Sequence, residues 1–291
     1  ELVPQEEQQE KTEEHAEILQ AQTFKAKYPR FGLWGGLGAS FLQYAETTNV
    51  GAGGSATFSD ISSTPAYSLG AFARLTDHSS VNFEFQDHQG AIPASSTNTI
   101  SSTSYDWKTE GFDWEYRFNS HSHYTYYSLV GLQSETIPFL DINKNGTAQL
   151  IQNNLQDLSL GAKVEYARND KFIYEMQLRY QQMLSSASLS NYTFNAQPVL
   201  LFDGSLGISR RYDSGMRLGV YWFGQERYLN YSYSKPGSTY SGSQNLFNST
   251  VQFRLGWEFF ALPLIPFRRR RKKPVERNLA AKNSKKKNNA A

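Results

Sequence analysis

A two-residue rhythm constrains this chain more than any other feature. In Val81-Asn-Phe83-Glu-Phe85-Gln every second residue is apolar and polar residues fill the gaps. The same rhythm runs through Phe112-Asp-Trp114-Glu-Tyr116-Arg-Phe118, Leu158-Ser-Leu160-Gly-Ala162-Lys-Val164-Glu-Tyr166, Phe172-Ile-Tyr174-Glu-Met176-Gln-Leu178-Arg-Tyr180 and Val251-Gln-Phe253-Arg-Leu255-Gly-Trp257-Glu-Phe259. Successive side chains on a strand point to opposite faces, so each stretch is a strand with one greasy and one polar side. The pattern predicts ten strands, at roughly 31–46, 66–75, 80–88, 105–118, 123–137, 155–167, 171–184, 198–211, 216–231 and 246–260.

Composition excludes several alternatives. Aromatic residues make up 14% of the 291 residues, too many for a disordered chain. No stretch supplies the ~20 continuous apolar residues of a spanning helix. With no Cys there is no disulfide framework, thiolate zinc site or Cys nucleophile. The net charge of +2 is unevenly spread. The first 22 residues hold seven Glu and one Lys, and residues 268–291 hold eleven Lys or Arg and one Glu. Three zones follow: an acidic segment at 1–30 with a short helix at 5–22, an aromatic β domain at 31–261, and a basic tail at 262–291 that reads as disordered. The chain opens on Glu1 rather than Met, so removal of a leader is expected.

The connections alternate. Thr76-Asp-His-Ser79, Asn119-Ser-His-Ser122, Arg168-Asn-Asp170 and Tyr212-Asp-Ser-Gly215 are tight polar turns. The others, 47–65, 89–104, 138–154, 185–197 and 232–245, read as long loops rich in Ser, Thr, Asn, Gly and Tyr. This describes an up-and-down meander with both chain ends on the short-turn side. A soluble β-sandwich or lipocalin-like barrel also alternates; which face meets the interior decides between them.

Even strand number, short turns at one end, long loops at the other and alternation together resemble the bacterial outer-membrane β-barrel proteins, over roughly residues 31–260. The resemblance implies a closed antiparallel transmembrane barrel, greasy face outward against outer-membrane lipid, with periplasmic termini. Gly256, Trp257 and Phe259, within Arg254–Ala261, resemble the terminal-strand signal read by the barrel-assembly machinery, although here a tail follows. Two aromatic girdles are expected. One comprises Phe31, Phe83, Phe118, Tyr124, Tyr166, Phe172, Tyr212 and Phe259, and the other Tyr44, Tyr67, Trp107, Tyr180, Trp222, Tyr228, Tyr231 and Phe247.

With the apolar register outward, the inward acids are Glu84, Asp113, Glu115, Glu165, Glu175, Asp203 and Glu258, and the inward bases Arg117, Lys163, Arg179, Arg211, Arg217, Arg227 and Arg254. Seven face seven, as mutual pairing in a confined lumen requires. A ten-stranded lumen is narrow, so a large pore is excluded and a thin ion path is not. Glycines share the inward register, among them Gly32, Gly36, Gly38, Gly70, Gly161, Gly207, Gly219 and Gly256. They relieve crowding or form a groove for an inserted segment such as the 5–22 helix.

Short motifs add little chemistry. Asp141, Asn143 and Asn145, followed by Gly146, match the first half of a calcium loop, but Gln152 replaces the closing Glu and Lys144 intrudes. A turn explains them more simply, and no metal or cofactor is expected. Asp87-His88 marks a strand end; ten-stranded omptin proteases carry acid and His residues at such a rim, and this chain resembles them in strand count alone. No enzyme activity is expected. The run Arg268, Arg269, Arg270, Arg271, Lys272 and Lys273 suits the cell wall or an acidic periplasmic partner rather than nucleic acid. The expected function is a surface or envelope protein that binds through long extracellular loops, with a narrow solute channel and an omptin-like rim protease as alternatives.

Overall fold

The computed structural model describes residues 29–50, 54–92, 103–121, 123–142, 148–169, 171–188, 192–235 and 238–259. Among these the chain forms ten strands and no helix. They are β1 (Phe31–Val50), β2 (Gly54–Arg74), β3 (Ser79–Ile92), β4 (Thr103–His121), β5 (Tyr124–Ile142), β6 (Ala148–Asn169), β7 (Phe172–Ser188), β8 (Thr193–Arg211), β9 (Met216–Lys235) and β10 (Ser238–Phe259). Each pairs antiparallel with its sequence neighbours, and β10 closes on β1, from Phe31↔Phe259 to Asn49↔Ser241. Closure leaves no open edge, which is what lets a sheet cross hydrocarbon. The 5–22 helix and the tail beginning at Arg268 lie outside the described residues.

Four tight connections, at 75–78, 122–123, 170–171 and 212–215, share one end with the start of β1 and the end of β10. We call this end the foot and the other the crown. In the last of these turns Gly215 has φ 81°, a left-handed conformation, and a side chain there would meet the carbonyl of Glu258.

The greasy face is outward. Phe83 (47%), Leu160 (46%), Leu178 (42%) and Trp257 (46%) are all exposed. A soluble barrel would bury them; here they coat the outside. The outward apolar series begins at the foot and covers about 31–41 on β1, 158–166 on β6, 172–180 on β7 and 251–259 on β10. Such stretches of ~9–11 tilted residues span a hydrocarbon core about 25 Å thick. Trp222 at the upper edge of this band donates its indole N–H to Ser249 Oγ at 2.9 Å, so the polar end of the ring has a partner beside lipid.

The crown departs from the expectation. Most of 47–65, 138–154, 185–197 and 232–245 is strand, not loop. Pairing continues to Val50↔Gly54, Ile142↔Ala148 and Lys235↔Ser238. The reason is a change of sides. On β9, Leu218, Val220 and Trp222 point outward near the foot, whereas nearer the crown Leu229, Tyr231 and Tyr233 point inward and Asn230 and Ser234 outward. The apolar series moves from even to odd numbers with no slip in register. On β1, Leu33, Leu37 and Phe41 are outside, then Leu42 and Tyr44 inside. Above the lipid band the barrel is built like a soluble one. Three residues assigned to the upper girdle, Tyr44, Trp107 and Tyr231, are therefore core residues at 1%, 0% and 3% exposure. Tyr67, Tyr180, Trp222, Tyr228 and Phe247 do face outward.

The orientation makes a measurable distinction. Leu255→Arg, near the middle of the band, should cost about 2–4 kcal/mol of folding free energy in lipid, against at most ~1 for Gln43→Arg on β1 above it. Denaturant titration of both variants in bilayers should show this gap; equal costs would contradict the assigned band.

Candidate functional site

Inside the barrel two layers follow from the change of sides. The crown layer is apolar. Side chains from β1, β4, β5, β6, β8, β9 and β10 form one buried cluster that includes Leu42, Trp107, Phe139, Leu155, Phe194 and Tyr231. Its contacts cross the lumen. The Phe139 ring lies 4.6 Å from Phe194 and 5.1 Å from Tyr231, centroid to centroid. Gln244 Nε2 on β10 donates to Pro138 O on β5 at 2.6 Å. Glu46, buried among these groups, accepts hydrogen bonds from Tyr44, Tyr231, Gln244 Nε2 (2.9 Å) and the Leu140 N–H (3.0 Å). A carboxylate so enclosed is held by donors from four strands. The cluster spans the lumen at the crown.

Beneath it lies the charge lattice, and it brings together most of the residues read from the alternation. Glu84 pairs with Arg254 (2.6 Å), Glu115 with Lys163 (2.6 Å), Glu175 with Arg217 (2.8 Å) and Asp113 with Arg179. Lys163 also reaches Glu165 (3.4 Å), which accepts from Tyr127 Oη at 2.9 Å. Glu258 takes Arg211 (2.6 Å) and Arg217 (3.1 Å). Arg117 occupies the inner face at the foot of β4. Asp203 pairs with Arg227 (2.7 Å), and Arg227 forms a two-pronged bond to Glu135, with Nε to Oε2 at 2.7 Å. Arg227 and Glu135 are both fully buried. The sequence reading missed Glu135 and Asp157, although Val130 and Leu132 outside place Glu135 inside, and Leu160 outside does the same for Asp157.

Around the lattice lies a cavity of about 570 Å³, lined near the foot by Arg74, Lys171, Arg211 and Glu258 and higher up by Asp203 and Gln225. Its apolar wall is Trp34, Phe72, Tyr221 and Phe223. Inner glycines make room for these rings: a Cβ on Gly70 would overlap the indole of Trp34. Likewise Phe72 covers Gly32 and Tyr221 covers Gly207. These glycines serve the chain's own aromatic rings.

The remaining motifs separate. Asp87 and His88 occupy opposite faces of β3. Asp87 is on the outer wall, directly across from Lys108. His88 is inside, its ring 6.2 Å from that of Trp107. They form no dyad. Asp141 is bound by Lys235 Nζ (2.5 Å to Oδ2) and Gln149 Nε2 (3.2 Å), while Asn143 and Asn145 lie outside the described residues. The described residues hold no group of three His, Asp or Glu suited to a metal ion. In the terminal-strand motif Gly256 faces the lumen, and Trp257 and Phe259 are each 46% exposed on the lipid face.

No family model matches the chain, and no curated protein does. Solved structures do. The outer membrane protease OmpT of Escherichia coli matches with a TM-score of 0.50 at 10% identity, covering 78% of this chain and 97% of that one. Neisserial surface protein A matches at a TM-score of 0.34 and 11% identity (79% and 97% covered), and the attachment invasion locus protein of Yersinia pestis at 0.31 and 9% (76% and 98%). The chain has the fold of the bacterial outer-membrane β-barrel proteins. These identities speak to the fold alone. The closed barrel and its apolar outer band make the chain a membrane β-barrel.

The lattice is graded by burial. Removing one partner of a buried pair strands the other charge, so Arg227→Ala should destabilise by about 3–5 kcal/mol. Lys108→Ala, on the exposed outer-wall pair with Asp106, should cost below ~1 kcal/mol. Urea titration of the barrel in detergent should resolve the two.

Proposed function

We propose that the chain is a non-enzymatic protein of the bacterial outer membrane that binds partners outside the cell through its crown, with its foot, acidic segment and basic tail in the periplasm. One observation carries this reading: the apolar cluster that crosses the lumen above the lipid band. A channel needs a continuous wet path, and a layer of Phe139, Phe194, Tyr231 and Trp107 interrupts it. The same cluster stiffens the projecting strands into a platform, and a rigid scaffold beneath its connecting segments suits recognition. The outer wall of the crown is rich in uncharged hydrogen-bonding groups, including Asn195, Gln197, Asn230, Ser234, Ser241 and Asn245. It offers adaptable polar contacts at the height where the loops were expected to act. The separation of Asp87 from His88 removes the one pairing that suggested a rim hydrolase. The tail from Arg268 to Lys273 supplies the positive charge that suits the anionic cell wall.

Planar-bilayer recording tests the central point. The intact barrel should give no steady ohmic steps, and a variant with Phe139, Phe194 and Tyr231 all changed to Gly should. Steps from the intact protein would favour the channel reading. Peptide hydrolysis should be absent, and unchanged by His88→Ala. Deleting residues 268–291 should reduce co-sedimentation with isolated cell wall; equal retention would remove that role for the tail.

A further inference from the structure

The outer wall is unevenly coated. On β7–β9 the pairing sets outward side chains in rows across the strands. Met176, Leu206 and Trp222 share one row, and Tyr174, Ile208 and Val220 share the next row toward the foot. All six line an apolar hollow of about 510 Å³ in the lipid-facing wall. Its floor is the ladder itself, where Gly207 stands opposite Glu175. The Glu175 carboxylate points away from the hollow, into the lumen, where it holds Arg217 at 2.8 Å.

The following row, at the foot, is Phe172, Arg210 and Leu218. Arg210 is exposed and lies two residues, ~7 Å, along β8 from Ile208. Between the foot and Glu226 it is the one charged side chain on the described outer wall of β6–β9. It has no ion-pair partner among the described residues. Its guanidinium lies instead over two rings of the foot girdle, 5.7 Å from the centroid of Phe172 and 5.0 Å from that of Tyr212. The nearest acid along the chain, Asp213, lines the foot cavity.

A lone guanidinium at the edge of hydrocarbon calls for an anion. Its planar fork of N–H donors matches a phosphate, which accepts two parallel hydrogen bonds. Tyr166 and Tyr174, whose rings are 5.9 Å apart, border the hollow beside it and carry hydroxyl donors. A cation, ring hydroxyls and an apolar hollow one row away together match a molecule whose phosphate is joined to acyl chains.

We propose that this face seats one anionic phospholipid of the leaflet at the foot, with its phosphate on Arg210 and the first carbons of an acyl chain in the hollow. A negative headgroup is favoured over a zwitterionic one, because an ammonium group would meet no carboxylate on this part of the described outer wall. The seat depends on the lipid band and not on the crown's proposed role, so either can fail alone.

Native mass spectrometry of the detergent-purified full chain tests this, with phosphatidylglycerol and phosphatidylethanolamine supplied in equal amounts. One phosphatidylglycerol should be retained in preference to phosphatidylethanolamine. Arg210→Gln should cut that preference about fivefold, the effect of one cation near an anionic bilayer surface. Lys108→Gln, on the outer wall nearer the crown, should leave it unchanged. Val220→Trp fills the hollow with a side chain that lipid tolerates, and should reduce retention of both lipids with Arg210 still in place. Both foot variants should still migrate faster unheated than boiled, as a formed barrel does. Equal retention of the two lipids by the intact chain, a preference untouched by Arg210→Gln, retention untouched by Val220→Trp, or a second copy of the barrel bound in place of lipid would overturn the proposal.

Discussion

A closed hydrogen-bonded ladder locks the side-chain faces of every strand, and the rest of this barrel depends on that lock. A strand cannot rotate within the ladder, and a slip of one residue would turn its whole inner set outward. A strand twenty residues long that crosses lipid and then projects into water meets two opposite demands with one fixed parity. The chain meets both by changing which parity is apolar. On β1 the change falls between Phe41 and Leu42, and on β9 between Trp222 and Leu229. Below it, lipid solvates the greasy side and the lumen must take the charges. Above it, water solvates the polar side and the lumen takes the rings.

The narrow lumen gives that division its consequences. Charges forced into a small interior must find partners, and nearly every one does across neighbouring strands or across the bore, as Arg227 does with Glu135. Rings forced into the same bore above them meet across it, as Phe139 does with Phe194 and Tyr231.

Much of this was legible in residue order. Alternation in stretches such as Phe172–Tyr180 predicts ten strands and the outward face correctly, and the inward charges read from it do pair with one another. The crown was not legible in the same way. In Ser232-Tyr-Ser-Lys and Ser241-Gly-Ser-Gln the outward residues are small and polar, which is also the composition of loops. From the sequence Tyr231, Tyr233 and Tyr240 read as loop or girdle aromatics, because tyrosine suits water, lipid headgroups and cores alike, yet all three are buried. Asp87 and His88 are a different case: adjacent residues on a strand cannot share a face, so their order alone keeps them apart.

By itself, the sequence determined strand number, the lipid-facing side and the identity of most lumen charges, because each depends on local period and on a choice between two faces. Tertiary structure alone decided that rings from facing strands meet across the bore at the crown, that Arg227 bonds two carboxylates while neither oxygen of Asp157 has a hydrogen-bond partner, and that the inner glycines receive aromatic rings. Those outcomes depend on which strands stand opposite one another across the lumen, and separation along the chain carries no record of that distance.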